Sequence, residues 1–281
     1  MSAKELASEQ AARLIAGINI PPQPQMLIEL MELINTAEPD LNKIAGIISS
    51  DVGLSAAILK TINSPFFGVN NEVTSIKQAA MLLGLNNVIN LVRGLSLRKA
   101  IQNNSKIDLN IFWEVATDTA LCCASISRQL SIATPDEAYT LGLFHDCGIP
   151  LLMQKFSDYD RKINEAMANM NVTLTTIEEQ AYKTNHAVVG YYVAKTWRLP
   201  EKIRDVILEH HNYALLNNDE SPIRNIIALL TVARHIAHQH THTATDPEWE
   251  SYEDVIRHCL LMEQDDFDEM KLDLREMLEE K

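Results

Sequence analysis

Residues 141–152 read LGLFHDCGIPLL, an apolar run that holds a histidine and an aspartate side by side and closes on glycine and proline. His145 and Asp146 are good ligands for a hard or borderline metal ion, and both are costly to bury without partners. The pair therefore points either to a catalytic metal or to what remains of a metal site.

Beyond this stretch the ligand-type residues continue. His186 precedes Gly190, which permits close helix approach, and His210 and His211 stand together at the end of a helix opened by Pro200. Imidazoles and a carboxylate on successive helix ends suit zinc, iron or manganese. An aspartate beside its histidine can also bridge two ions, as binuclear phosphohydrolases require. Any one of these histidines alone is better explained as a packed or solvated residue. The five together are harder to explain that way.

The rest of the chain reads as helix. Gly (9) and Pro (10) are few in 281 residues, and apolar positions recur at helical spacing, as in Met26, Leu30, Leu33 and Ile34. Asp40, Asp51 and Ser75 are placed as N-caps, and Gly84 as a C-cap. Residues 85–101 form a further helix that the pattern breaks at Gly94. Residues 112–130 form a buried helix, Pro135 opens the one carrying the pair, and another runs from Pro222 to about His240. No strand set emerges, so the class is all-α. The polar stretch QNNSKIDLN suggests a boundary: an amino-terminal helical lobe over 1–105, a helical bundle over 106–240, and an acidic helical tail over 241–281.

Composition narrows the function classes. Hydrophobic residues make up 46% and charged residues 22%, and no run of about 18 apolar residues spans a bilayer. The polar start carries no signal-peptide core, and Cys122, Cys123, Cys147 and Cys259 show neither disulfide nor metal-finger spacing. The cytoplasm is the expected address. A net charge of −14 opposes binding to nucleic acid or anionic membrane.

Three further features have two readings each. Asp51, Asn63, Ser64, Phe66 and Phe67 form either a contact surface or caps and core. His238 and His242, one helical turn apart, form either a chelate or a solvated helix end. Phe267, Met270, Leu274 and Met277 form a stripe on the tail that packs on the body or docks a partner helix.

LGLFHDCGIPLL, the later HAVVG with WRLP, and EHH together resemble the HD superfamily of metal-dependent phosphohydrolases. IPPQPQMLIELMEL, IISSDVGLSAAILKTINSPFFG and SIKQAAMLLGLNNVINLV resemble the HDOD family of bacterial signalling proteins, related to HD-GYP, over roughly residues 18–240. The resemblance implies an all-helical HD-like bundle, a regulatory role through a protein partner, and kinship to phosphodiesterases of cyclic dinucleotides. It leaves a nucleotide ligand and a homo-oligomer open.

An active HD hydrolase also needs a histidine on the helix before the pair and an aspartate on a later helix. Here the earlier helix has only Glu114 and Asp118, off the required position, and the later one has Arg234 and His235 where the aspartate belongs. The expected site is one divalent ion (iron, manganese, zinc or magnesium) on Asp146, His186, His210 and His211, with His145 supporting. No residue is assigned as catalytic. The expected function is a signalling module, with a metal-dependent phosphohydrolase of nucleotides or cyclic dinucleotides as the alternative. Lys155, Lys195 and Arg198 are the cations that would favour that alternative.

Overall fold

The computed structural model describes residues 15–63, 69, 71–103, 107–169, 173–241, 243 and 249–280, and among these it is all-α. Three of the first four helices are set by side-chain caps. α1 (Gln25–Ile34) follows Pro24, and α2 (Leu41–Ser49) begins where the Asp40 carboxylate accepts from the N–H groups of Asn42 and Lys43. α3 (Val52–Ile62) is capped by Asp51, and α4 (Ile76–Leu83) by Ser75 before it stops at Gly84. Such caps contribute about 1 kcal/mol each. Leu27, Leu30, Ile44, Ile48, Ile58 and Ile62 are buried beneath them.

α5 (Leu85–Asn103) runs unbroken through Gly94, where the sequence pattern suggests an interruption. Glycine in a helix interior costs about 1 kcal/mol relative to alanine, and packing offsets it here. A Cβ on Gly94 would lie 2.2 Å from Leu143 Cδ2. The bare backbone is the seat for the helix that leads into the His–Asp pair.

That helix belongs to a bundle of α6 (Asn110–Leu130), α7 (Pro135–Phe144), α8 (Gly148–Lys155), α9 (Tyr159–Asn169), α10 (Leu174–Tyr182), α11 (His186–Thr196), α12 (Glu201–Glu209) and α13 (Arg224–His240). α6 and α13 are its central members, α7 packs on α6, and α11 packs on α8 and α12. Across the bundle edge, the Trp197 indole donates to the Pro21 carbonyl at 2.9 Å, and the Gln23 amide donates to the Trp197 carbonyl at 2.7 Å. The segment before α1 is thus tied to the end of α11. Residues 104–106, at the boundary suggested by the sequence, lie outside the described residues.

The acidic tail packs on the body as α14 (Trp249–Cys259) and α15 (Gln264–Glu279), the latter against α13 and α6. Its buried stripe is Phe267, Met270, Leu274 and Leu278; Met277 is only half-buried. Leu278 replaces Met277 because eleven residues after Phe267 complete about three helical turns. Asp51 caps α3 and also accepts from Lys99 Nζ at 2.7 Å, while Asn63 brackets the backbone of Val73 with hydrogen bonds of 2.7 and 2.9 Å. Both act structurally. Ser64, Phe66, Phe67 and His242 lie outside the described residues. The four cysteines are buried and none is in a disulfide. No single helix among the described residues is long and apolar enough to cross a membrane.

Replacing Trp197 by Phe keeps the ring but leaves the Pro21 carbonyl without its donor. Chemical denaturation should show a loss of about 1–3 kcal/mol. An unchanged midpoint would mean that the anchor carries no load.

Candidate metal centre

His145 and Asp146 sit in the break between α7, which ends at Phe144, and α8, which starts at Gly148. Pro135 therefore opens the helix that leads to the pair without carrying it. His186 is the first residue of α11, placed by Asn185, which caps that helix by accepting from the Val188 N–H at 2.9 Å. His210 and His211 follow the last turn of α12. All three helix ends meet at one point. Asp146 Oδ1 lies 3.3 Å from His186 Nε2 and 3.2 Å from His210 Nε2, and His186 Nε2 lies 3.0 Å from His211 Nε2. One ligand atom from each of Asp146, His186, His210 and His211 falls within 4.8 Å of the others.

The far ring nitrogens are fixed by acceptors. Nδ1 of His210 donates to the Ile207 carbonyl at 2.7 Å, and Nδ1 of His145 donates to the Gly142 carbonyl at 2.6 Å. His186 Nδ1 donates to Glu178 at 2.7 Å. Each bond leaves Nε2 facing the cluster with its lone pair when the ring is neutral. His145 stands apart from the other three. Its Nε2 approaches the other Asp146 oxygen, Oδ2, at 2.9 Å.

Two imidazole lone pairs cannot face each other at 3.0 Å unless a proton or a cation lies between them. The electrostatics assign a proton to the metal-free site. Burial alone would lower His186, but the Glu178 charge and hydrogen bonds to Asp146 and Glu178 outweigh it and raise the group to about 10. Burial lowers His210 to about 4 despite Asp146, and it holds His211 well below the ordinary histidine value. Burial would raise Asp146, yet the His145 charge and the facing imidazoles hold it well below the usual carboxylate range. A donor set of one carboxylate oxygen and three imidazole nitrogens fits a zinc, iron or manganese ion.

Among the described residues the carboxylates of α6 and the polar residues of α13 do not join the ligand group. Glu114 is exposed on α6, and the buried Asp118 is turned to His240, 2.8 Å from its Nδ1. On α13, the His235 ring stacks on Trp249 at 3.9 Å. The buried Arg234 lies near enough for its charge to help lower His210 and His211. None of these belongs to the ligand group. Nor do the other cations: Lys155 lies against Gly17, and Lys195 over the Tyr192 ring.

The HDOD domain family matches residues 20–213. This chain belongs to the HDOD family. A relative without assigned function from Treponema pallidum (strain Nichols) is 27% identical over 229 residues, covering 78% of this chain and 44% of that protein. YuxH of Bacillus subtilis (strain 168) is 26% identical over 132 residues, covering 47% of this chain and 32% of its own length. The HDOD chain thus spans less than half the length of these curated relatives. Among solved structures, an HDOD domain protein of unknown function from Geobacter sulfurreducens has a TM-score of 0.71 at 20% identity, covering 98% of each chain. A Shewanella amazonensis SB2B protein with a provisional phosphohydrolase name has a TM-score of 0.72 at 22% identity, covering 96% of this chain and 98% of its own. At these identities the likeness is one of fold.

Three residues that position the HDOD cluster escaped the sequence reading. Glu178, fully buried on α10, accepts both the backbone N–H (2.9 Å) and Nδ1 of His186, and its other oxygen accepts from the buried Tyr159 hydroxyl. Such carboxylate–histidine contacts fix ring orientation and raise ligand basicity. The signal was present, since Glu178 interrupts the apolar face of α10 at Leu174 and Ile177. Gly148 is the third. A Cβ there would lie 2.1 Å from the His186 carbonyl oxygen, so only glycine lets α8 meet the start of α11. Gly190, singled out in the sequence, is the looser contact: a Cβ there would lie 3.1 Å from Ile207 Cγ2.

Two outcomes follow. Gly148→Ala should cost at least about 1–3 kcal/mol by overpacking, and by moving Asp146 from His186 it should weaken metal uptake. Calorimetry with zinc checks both.

The second outcome concerns pH in chelator-treated protein. His186, raised to about 10, stabilises the fold below its unfolded value of about 6.5, and that contribution disappears as pH climbs through 10. His210, lowered to about 4, contributes above about 6.5 and loses that contribution as pH falls toward 4. Asp146 adds to the acid loss. Denaturation midpoints should therefore peak near neutrality, and His186→Gln should flatten the alkaline limb alone. An alkaline slope unchanged in that variant would refute the proton assignment.

Proposed function

We propose that this chain is a regulatory HDOD module, acting in the bacterial cytoplasm through contact with a protein partner, whose retained ligands hold at most one divalent ion. The observation that carries the reading is the composition of the site. Asp146, His186, His210 and His211 converge, while the carboxylates of α6 are exposed or paired elsewhere and α13 contributes arginine. His145 supports the site by approaching Asp146 from its outer oxygen.

A bound ion would supply Lewis acidity and lower the pKa of a coordinated water. The chain's own residues bind and orient. Glu178 and the Ile207 carbonyl hold the two rings, and burial keeps His210 and His211 neutral and ready to donate a lone pair. Phosphodiester hydrolysis usually divides charge neutralisation and nucleophile activation between two ions. A site limited to one ion forgoes several kcal/mol of that stabilisation, which slows turnover by orders of magnitude.

A phosphohydrolase of nucleotides or cyclic dinucleotides is the second reading, favoured by the intact four-ligand set and by the provisional names of the Shewanella structural neighbours. A net charge of −14 disfavours polyanions, so neither reading includes nucleic acid or anionic membrane. A homo-oligomer is compatible with either.

Metal analysis of purified protein loaded in turn with manganese, iron, zinc or magnesium should give no more than one ion per chain. Asp146→Ala should abolish that uptake. Hydrolysis of cyclic dinucleotides and common nucleotides should stay at the level of buffer under every metal. Robust metal-dependent turnover that vanishes in the Asp146→Ala protein would establish the enzyme reading instead.

A further inference from the structure

A cleft of about 200 Å³ opens between the two lobes, walled by α1 and α5 on one side and by α7 and the start of α12 on the other. Its apolar wall is formed by Ile34, Ile89, Pro200 and Ile203. Arg93 lines it and is itself 6% exposed. A guanidinium has five N–H donors, and this one has two partners: Asn90 Oδ1, 2.9 Å from Nη1, and the weakly accepting sulfur of Met31, 3.0 Å from Nη2. Its Nε is buried with no acceptor, and no carboxylate among the described residues forms an ion pair with it. A buried cation without a counter-ion is costly, and burial pushes the Arg93 pKa down accordingly.

Negative charge stands on the opposite wall. Asp136 and Glu137 begin α7, both half-buried, and both line the same cleft. Asn90 joins the two sides, for its amide nitrogen donates to Asp136 Oδ2 at 2.7 Å while its oxygen accepts from Arg93. One amide, about 2.3 Å from oxygen to nitrogen, therefore sets Nη1 of Arg93 at most about 8 Å from Asp136 Oδ2. A molecule lying beside that bridge meets a cation at one end, carboxylates at the other and aliphatic side chains along its length. A simple anion would be repelled by Asp136 and Glu137, and a simple cation by Arg93.

We propose that the inter-lobe cleft binds a free α-amino acid with a branched aliphatic side chain, its carboxylate on Arg93, its ammonium on Asp136 and Glu137, and its side chain against Ile34, Ile89 and Ile203. Convergent polar groups in an otherwise apolar pocket are the usual form of a small-molecule site. The paired charges of an amino acid reproduce the spacing that Asn90 bridges, and a charge-assisted carboxylate bond supplies the counter-ion that Arg93 lacks. Because the ligand touches both lobes, its occupancy is read by their packing. This site is independent of the metal reading, since none of its residues belongs to the metal cluster.

Calorimetric titration of the chelator-treated full chain with L-leucine tests the assignment. Leucine should bind, while isocaproate (no ammonium) and isoamylamine (no carboxylate) should each bind at least about tenfold more weakly, as should leucine to Arg93→Met and to Glu137→Gln. Circular dichroism checks that each variant is folded. If Arg93→Met does not fold, Glu137→Gln and the two analogues on the unaltered chain decide. No leucine binding, isocaproate binding as tight as leucine binding, or full affinity in a folded variant overturns the proposal.

Discussion

A carboxylate with almost no contact with water cannot persist without compensation, and Asp146 is 8% exposed. Imidazoles gather around it, His210 and His186 at 3.2 and 3.3 Å from its inner oxygen and His145 at 2.9 Å from its outer one, and the charge on His186 offsets it. Removing one partner of a buried ionic group costs several kcal/mol, because the other is left uncompensated. The break between α7 and α8, the start of α11 and the end of α12 are therefore locked to one another. The bundle is organised around this one charge as much as around its apolar core.

What surrounds the cluster shows how that lock is kept. Tyr159 donates to Glu178, Glu178 accepts twice from His186, and His186 meets Asp146 and both rings at the end of α12. A network of this kind is strong when every member is satisfied and weak when one is missing. The close contact of Gly148 with the His186 carbonyl brings the backbones near enough for the side chains to meet. Stability and ligand geometry thus rest on the same few atoms.

The site is also lopsided. Toward α11 and α12 it is rich in neutral nitrogen donors. Toward α13 it meets the permanent charge of Arg234. An arginine cannot be titrated away or serve as a metal ligand. That charge next to neutral imidazoles discourages a second cation.

Helical class, the caps at Asp40, Asp51 and Ser75, and the identity of the cluster residues were all legible in the order of amino acids. Caps and periodicity are local, set by backbone donors and by the 3.6-residue turn. The cluster could be named because histidine and aspartate in an apolar run have few uses. Glu178 and Tyr159 escaped because their partnership with His186 runs through space from two other helices. Gly94 misled because a glycine shows what is missing from a chain and not what fills the gap. The sequence determined which residues could bind an ion and that the fold would be helical. Only the tertiary structure decided that Asp118 serves His240, that Gly94 seats Leu143, and that Arg93 faces a cleft without a counter-ion, because each depends on which helix packs against which.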